Sequence, residues 1–275
     1  MKKMVKHGTY KHNLILLSCA LFIVAMIFSS WLIFPTRLDK GVVVERRKSI
    51  GKQKGKPKFK AIKKSTPIVQ PNIKPDYSLP SVQNGMSQVI NTVDTDQNVV
   101  FLGIDDGAYK DQSVIDIMKQ NNIKASLFLT KASIASNPDF FKQLVIQGSY
   151  IENHTLSHNT KMIKEMDYEQ QKSEICGMAD YEQANYGRRP TLFRPPGGAY
   201  SDTMRQAAAD CGMKTIVNWI AKANGGSMQY QVGNKLRPGD IVLMHFRPEF
   251  KQDMQAFVDA MTISGLHTAL LEDAI

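Results

Sequence analysis

From residue 98 onward the chain alternates short, strongly apolar runs with amphipathic ones, and this alternation limits the fold more than any other feature. "NVVFLGI", "IKASLFLT", "SYIEN", "TLFR", "KTIVNW", "DIVLMH" and "HTALL" read as buried strands. Between them "QSVIDIMKQN", "SNPDFFKQLVIQG", "DYEQQKSEICGMADYEQANYG", "SDTMRQAAADCG" and "KQDMQAFVDAMTISG" read as helices. Asn137 and Ser201 stand in cap positions, Pro138 in a first turn, and Gly148, Gly187 and Gly212 as stops. Strand and helix alternating this often predicts parallel strands with covering helices, an α/β fold that is either a barrel or doubly wound.

The net charge of +10 suggests a polyanion binder until it is located. Residues 1–13 carry +4 and residues 35–75 carry +11, which leaves −5 for residues 76–275. The folded part is mildly acidic, which excludes nucleic acid as its partner. Residues 14–34 hold 21 residues without a charge, enough to cross a bilayer as a helix. The basic residues before this run favour a cytoplasmic N-terminus and an outside location for the rest, whereas those after it pull the other way. A cleaved signal peptide is the main rival, but no A-x-A site follows, and "LLSC" only faintly resembles a lipoprotein box. Residues 35–96, rich in Lys, Pro, Gly and Gln, read as a disordered linker that either contacts anionic lipid or wall polymer or simply spaces. The resulting organisation is a basic cytoplasmic tail (1–13), a transmembrane helix (14–34), a basic linker (35–96) and a folded domain (97–275).

Cys19 falls in the apolar run, and Cys176 and Cys211 read as two buried free thiols rather than a disulfide framework.

Four of the strands end in polar chemistry: "IDDG" with Asp105 and Asp106, "ENHTLSH" with His154 and His158, "FRPPGG" with Arg194, and "LMH" with His245. In a parallel sheet these ends share one rim, where α/β folds carry their sites. A helix-like turn would bring His154 and His158 onto one face. One Asp with two His makes an oxygen and nitrogen ligand set that leaves a position open for water. The second Asp is then a proton acceptor, Arg194 its bidentate partner, and His245 a general acid. His267, in "GLHTAL", has no such company and reads as structural, while His7 and His12 fall on the cytoplasmic side.

Over residues 98–275 the sequence resembles the polysaccharide deacetylases of carbohydrate esterase family 4, on "IDDG", "HTLSH", "RPPGG" and "GDIVLMH" in that family's order. The resemblance implies a distorted (β/α) barrel that removes acetyl groups from N-acetylated sugars with a divalent metal, usually zinc, with cobalt, manganese or nickel as substitutes. By position it makes Asp105 the base, Asp106, His154 and His158 the metal ligands, Arg194 the partner of Asp105, and His245 the acid. Two departures stand out. Gly197 replaces the family's Tyr in "RPPYG", keeping the backbone N–H and removing a ring from the substrate groove. Trp219 is present, but no Asp or Glu follows it through Gly226 to orient His245. The expected activity is a membrane-anchored, outward-facing N-deacetylase of a cell-wall or exported amino-sugar polymer such as peptidoglycan, poly-N-acetylglucosamine or chitin. A glycan-binding domain without turnover, or an O-acetyl esterase, is the alternative.

Overall fold

The computed structural model describes residues 74–274. The expected transmembrane run at 14–34, the cytoplasmic tail and the first part of the linker lie outside them. Among the described residues no helix is long and apolar enough to cross a membrane.

Among the described residues ten strands form one sheet. In chain order they are β1 (Gln88–Ile90), β2 (Val99–Asp106), β3 (Ser126–Leu129), β4 (Tyr150–Asn153), β5 (Leu192–Phe193), β6 (Thr215–Val217), β7 (Ala221–Asn224), β8 (Ser227–Tyr230), β9 (Ile241–His245) and β10 (His267–Ala269). The order across the sheet is β1-β6-β5-β4-β3-β2-β9-β7-β8, with β10 beside the first residues of β2. Every pairing is parallel except the β7–β8 hairpin. The helices are α1 (Gln112–Gln120), α2 (Lys131–Ile134), α3 (Asp139–Ile146), α4 (Met162–Glu165), α5 (Tyr168–Tyr186), α6 (Asp202–Asp210) and α7 (Phe250–Ile263). The expected α/β sheet with covering helices is present. Its ring is not closed by strand pairing, because β1 and β8 remain the two edges of a curled half-barrel.

Alternation along β2 shows how the layers form. Val100, Leu102 and Ile104 pack outward with Val114, Met118 and Phe257 of the helices. Phe101 turns inward to a smaller cluster with Phe128, Leu192, Val217, Ile241, Leu271 and Tyr77. Period-two side-chain direction thus gives each strand one face for the helices and one for the barrel interior. A third cluster packs α5 and α6 through Ile175, Ala179, Met204 and Ala208 against Phe193 and Ile216.

Three expectations are corrected here. The linker does not extend to residue 96: Tyr77 and Val93 are buried in the inner cluster, and β1 pairs with β6. A three-residue strand inside a polar stretch carries too little periodicity to stand out. Cys176 and Cys211 are not free thiols, since they form a disulfide joining α5 to the end of α6 across 35 residues of chain. A crosslink of that span contributes about 2–4 kcal/mol by restricting the unfolded chain. The cap of α3 also falls one residue later than expected, at Pro138 rather than Asn137.

The end of the sheet where the strands begin is held by a buried carboxylate cluster. Glu152 accepts from Arg188 and from the backbone N–H groups of Thr191 and Leu192. Glu182 is 1% exposed with both oxygens unpartnered, and Glu272 accepts from the Ser126 hydroxyl at 2.9 Å. Burial, and secondarily Glu152, pushes Glu272 up to about 8. A carboxyl group raised on folding stabilises fully below its unfolded value, near 4.5, and that contribution is lost as pH rises through about 8. Urea denaturation at pH 5 and pH 8 is therefore expected to give a smaller pH-dependent loss for Glu272→Gln than for the wild type. An unchanged difference would contradict this assignment.

Candidate metal centre and active site

Because β2, β4, β5 and β9 run parallel, their C-terminal ends share one rim, and the polar residues of the four motifs meet there. Asp105 faces inward and is 3% exposed. Asp106, the last residue of β2, turns the other way with φ 75°, a conformation rare for any residue but Gly, Asn or Asp. Adjacent carboxylates are thereby directed to different neighbours.

His154 and His158 meet as the motif suggests but not on a helical turn. The segment after β4 is an irregular loop, and Thr155 and His158 have φ of 73° and 58°. Left-handed residues other than Gly persist where surrounding bonds over-determine them. Here the Asn153 side-chain oxygen accepts from the Thr155 N–H at 3.0 Å, its amide donates to the Ile175 carbonyl at 2.8 Å, and the Thr155 hydroxyl accepts from the His158 N–H at 3.1 Å. Asn153 and Thr155 were not singled out from sequence. Their signal was an Asn as the last residue of an apolar strand, directly before a histidine.

The ligand atoms of Asp106, His154 and His158 all lie within 4.8 Å of one another. Asp106 Oδ1 is 3.6 Å from His154 Nε2 and 3.2 Å from His158 Nε2. It is buried without a hydrogen-bond partner. His154 Nδ1 lies 2.6 Å from the Arg194 carbonyl, an acceptor only, so Nδ1 carries the proton and Nε2 presents a lone pair to Asp106. Burial lowers His154 to about 3, keeping the ring neutral as a metal ligand requires. An orphaned carboxylate oxygen facing imidazole nitrogens fits a divalent cation such as zinc; the same donor set would accept others.

Arg194 is fully buried inside the half-barrel. Its Nη1 donates to Asp105 Oδ1 at 2.6 Å, its Nε donates to the Val217 carbonyl at 2.9 Å, and its guanidinium lies 4.0 Å over the Phe128 ring. Gly at 103 leaves room for this side chain, since a Cβ there would collide with the Arg194 guanidinium and force it to shift. Burial raises Asp105, while the Arg194 charge opposes the rise. Its other oxygen, Oδ2, is 3.6 Å from His154 Nε2.

His245 ends β9 directly opposite Asp105. Burial pulls it down to about 4; Asp105 works against this, whereas Arg247, His154 and Arg194 reinforce it. Asp105 is the carboxylate that favours a charged His245, and burial outweighs it. Gly197 and Trp219 both line one cleft of about 360 Å³, along with Ile90, Asn91, Tyr200 and Gln231. Gly197, at φ 70°, sits in the tight turn Pro196–Gly198, a conformation that disfavours the family's Tyr. His267 lies in β10, away from this rim.

The sequence comparisons agree with this geometry. Residues 92–216 match the family model described as polysaccharide deacetylase. A protein of Streptomyces coelicolor is 36% identical over 156 residues, which cover 56% of this chain and 62% of that one. A peptidoglycan-N-acetylglucosamine deacetylase of Bacillus cereus is 29% identical over 163 residues, covering 56% of this chain and 75% of the relative. The chain therefore spans under two thirds of the first relative's length and about three quarters of the second's. The solved family 4 carbohydrate esterase from Streptomyces lividans, in complex with acetate, superposes with a TM-score of 0.54 at 25% identity, covering 62% of this chain and 92% of that one. Motif order, curled sheet and matched residues agree, and residues 92–216 of the chain are similar to the polysaccharide deacetylase domain of the family 4 carbohydrate esterases.

Proposed function

We propose that this protein is a membrane-anchored, outward-facing, metal-dependent hydrolase that removes N-acetyl groups from the amino sugars of a cell-wall or exported polysaccharide. The observation that carries the reading is the convergence of Asp106, His154 and His158 beside the buried Asp105–Arg194 pair. The relatives named peptidoglycan N-acetylglucosamine deacetylase favour an amino-sugar polymer as substrate. The Cys176–Cys211 bond favours an oxidising, extracytoplasmic compartment. The uncharged run at 14–34 supplies the anchor, and the basic linker after it a contact for anionic lipid or wall polymer.

Asp106, His154 and His158 would hold the cation, with zinc the first choice. When bound, it supplies Lewis-acid polarisation of the acetamide carbonyl and acidifies water in the pocket. Asp105 is the base: Arg194 fixes one carboxylate oxygen, leaving Oδ2 free on the side facing the ligands to accept a proton from the attacking water. His245, on the facing strand, hands a proton to the departing nitrogen. Because its ring starts neutral near pH 7, it takes that proton from solvent while Asp105 is still ionised and can stabilise the charge, before Asp105 accepts the proton of the attacking water. Gly197 and Trp219 line the cleft that receives the sugar. The bond cleaved is the amide C–N bond, and the products are acetate and a free amine.

The low pKa of His245 and the lack of an acid beside Trp219 favour one rival, a glycan-binding domain that no longer turns over. Acetate release from peptidoglycan, acetylated chitooligomers and acetylated xylan, with zinc or cobalt added, separates the two. The enzyme is expected to release acetate from an amino-sugar polymer and to lose about 10²–10⁴-fold in rate as Asp105→Asn. No metal-dependent release from any of the three would leave the binder; release from xylan alone would leave an esterase.

A further inference from the structure

The flank left open between β1 and β8 holds two clefts with a shared wall. The first is the cleft of about 360 Å³ beside Gly197. The second, of about 220 Å³, lies over the β7–β8 hairpin against Ala221, Lys222, Gln229 and Tyr230. Trp219 and Gln231 line both, so the two clefts adjoin at the tryptophan. Gln231 Nε2 donates to the Trp219 carbonyl at 3.0 Å, tying the hairpin to the groove floor. Beneath the floor, the Arg194 guanidinium that holds Asp105 is 5.9 Å from the Trp219 ring.

The hairpin register decides what the far half of the groove offers. Ala221, Ala223, Met228 and Tyr230 pack on the core through one face. Lys222 and Gln229 stand opposite each other on the other face. Lys222 also stands opposite Leu243 of β9, whose next residue on the same face is His245. Lys222 therefore shares a sheet face with the reacting residues. Its ammonium makes no hydrogen bond or ion pair with any described residue, and no carboxylate lines either cleft. Asp240, the acid that acts on Tyr230, is held by Arg237 at 3.0 Å.

We propose that the groove binds more than one sugar of the polymer, and that Lys222 selects chains in which a carboxylate-bearing sugar neighbours the acetylated one. The proposal rests on the deacetylase reading and narrows its substrate to an anionic amino-sugar copolymer rather than a neutral homopolymer. An aromatic face takes the C–H side of a sugar ring, and the Gln229 and Gln231 amides bind hydroxyl or acetamide groups. The unpaired ammonium of Lys222 pairs with the carboxylate.

The test uses the full chain and two oligosaccharides of alternating N-acetylglucosamine and its lactyl ether, one with free carboxylates and one with them amidated. Acetate release gives kcat/KM for each, and calorimetry gives Kd for each with and without zinc. Wild type is expected to favour the carboxylate form about tenfold, the effect of one charge-assisted hydrogen bond. Lys222→Met should bring that ratio near unity, and Lys222→Arg should retain most of it. A wild-type ratio of one, or a ratio that survives in Lys222→Met, overturns the proposal. If neither oligosaccharide is deacetylated, the deacetylase reading fails, while the Kd ratio still decides the role of Lys222.

Discussion

Asp106→Asn is expected to lose the metal and, with it, on the order of a thousandfold in acetate release. Removing one of three ligands forfeits several kcal/mol of charge stabilisation, and about 4 kcal/mol corresponds to three powers of ten. The backbone dictates the choice of substitution. Asp106 has φ 75°, which Asn tolerates and Ala does not, so Asn isolates the loss of the charged ligand from added strain. The same reasoning selects His158→Asn over His158→Ala, since φ there is 58°. Metal content by mass spectrometry, read beside acetate release, tests the idea. A variant that keeps a full equivalent of metal and near-wild-type turnover would sink it.

The second large effect is on stability. Arg194→Met leaves the Asp105 carboxylate buried without its guanidinium, and breaking a buried ion pair from one side costs about 3–5 kcal/mol. Urea denaturation should register most of that loss, and turnover should fall as Asp105 loses the bond that orients it. Adding Asp105→Asn to Arg194→Met removes the stranded charge and should recover much of the stability with none of the activity. A loss under about 1 kcal/mol for the single variant would mean that water reaches Asp105 and that the pair is less isolated than its burial indicates. Gly103→Ala should behave as a milder form of the same lesion, because its methyl group would push against the guanidinium from below.

How much of this was legible beforehand follows from the length scale of each feature. Asp105, Asp106, His154, His158, Arg194 and His245 could be placed on one rim from sequence because each ends an apolar run, and parallel strands align their ends. The way the two histidines converge could not be read. The spacing suggests a helical turn, whereas the chain uses left-handed Thr155 and His158 braced by Asn153, a conformation with no periodic signature. β1 was lost in a polar stretch because three residues are too few to show a period. The β7–β8 hairpin carries a local signal of its own: Gly225 and Gly226, with φ 61° and 73°, form the two-residue turn between short alternating runs. The disulfide was missed because its cysteines lie 35 residues apart and meet only through the packing of α5 on α6.

The unclosed ring bears on how a polymer can be approached. A ring closed by strand pairing would leave only the loops above its rim to meet such a chain, because the interior of a barrel is filled with side chains. If the proposed substrate is right, clefts open along the flank between β1 and β8 admit a polymer strand from the side, at any point along its length.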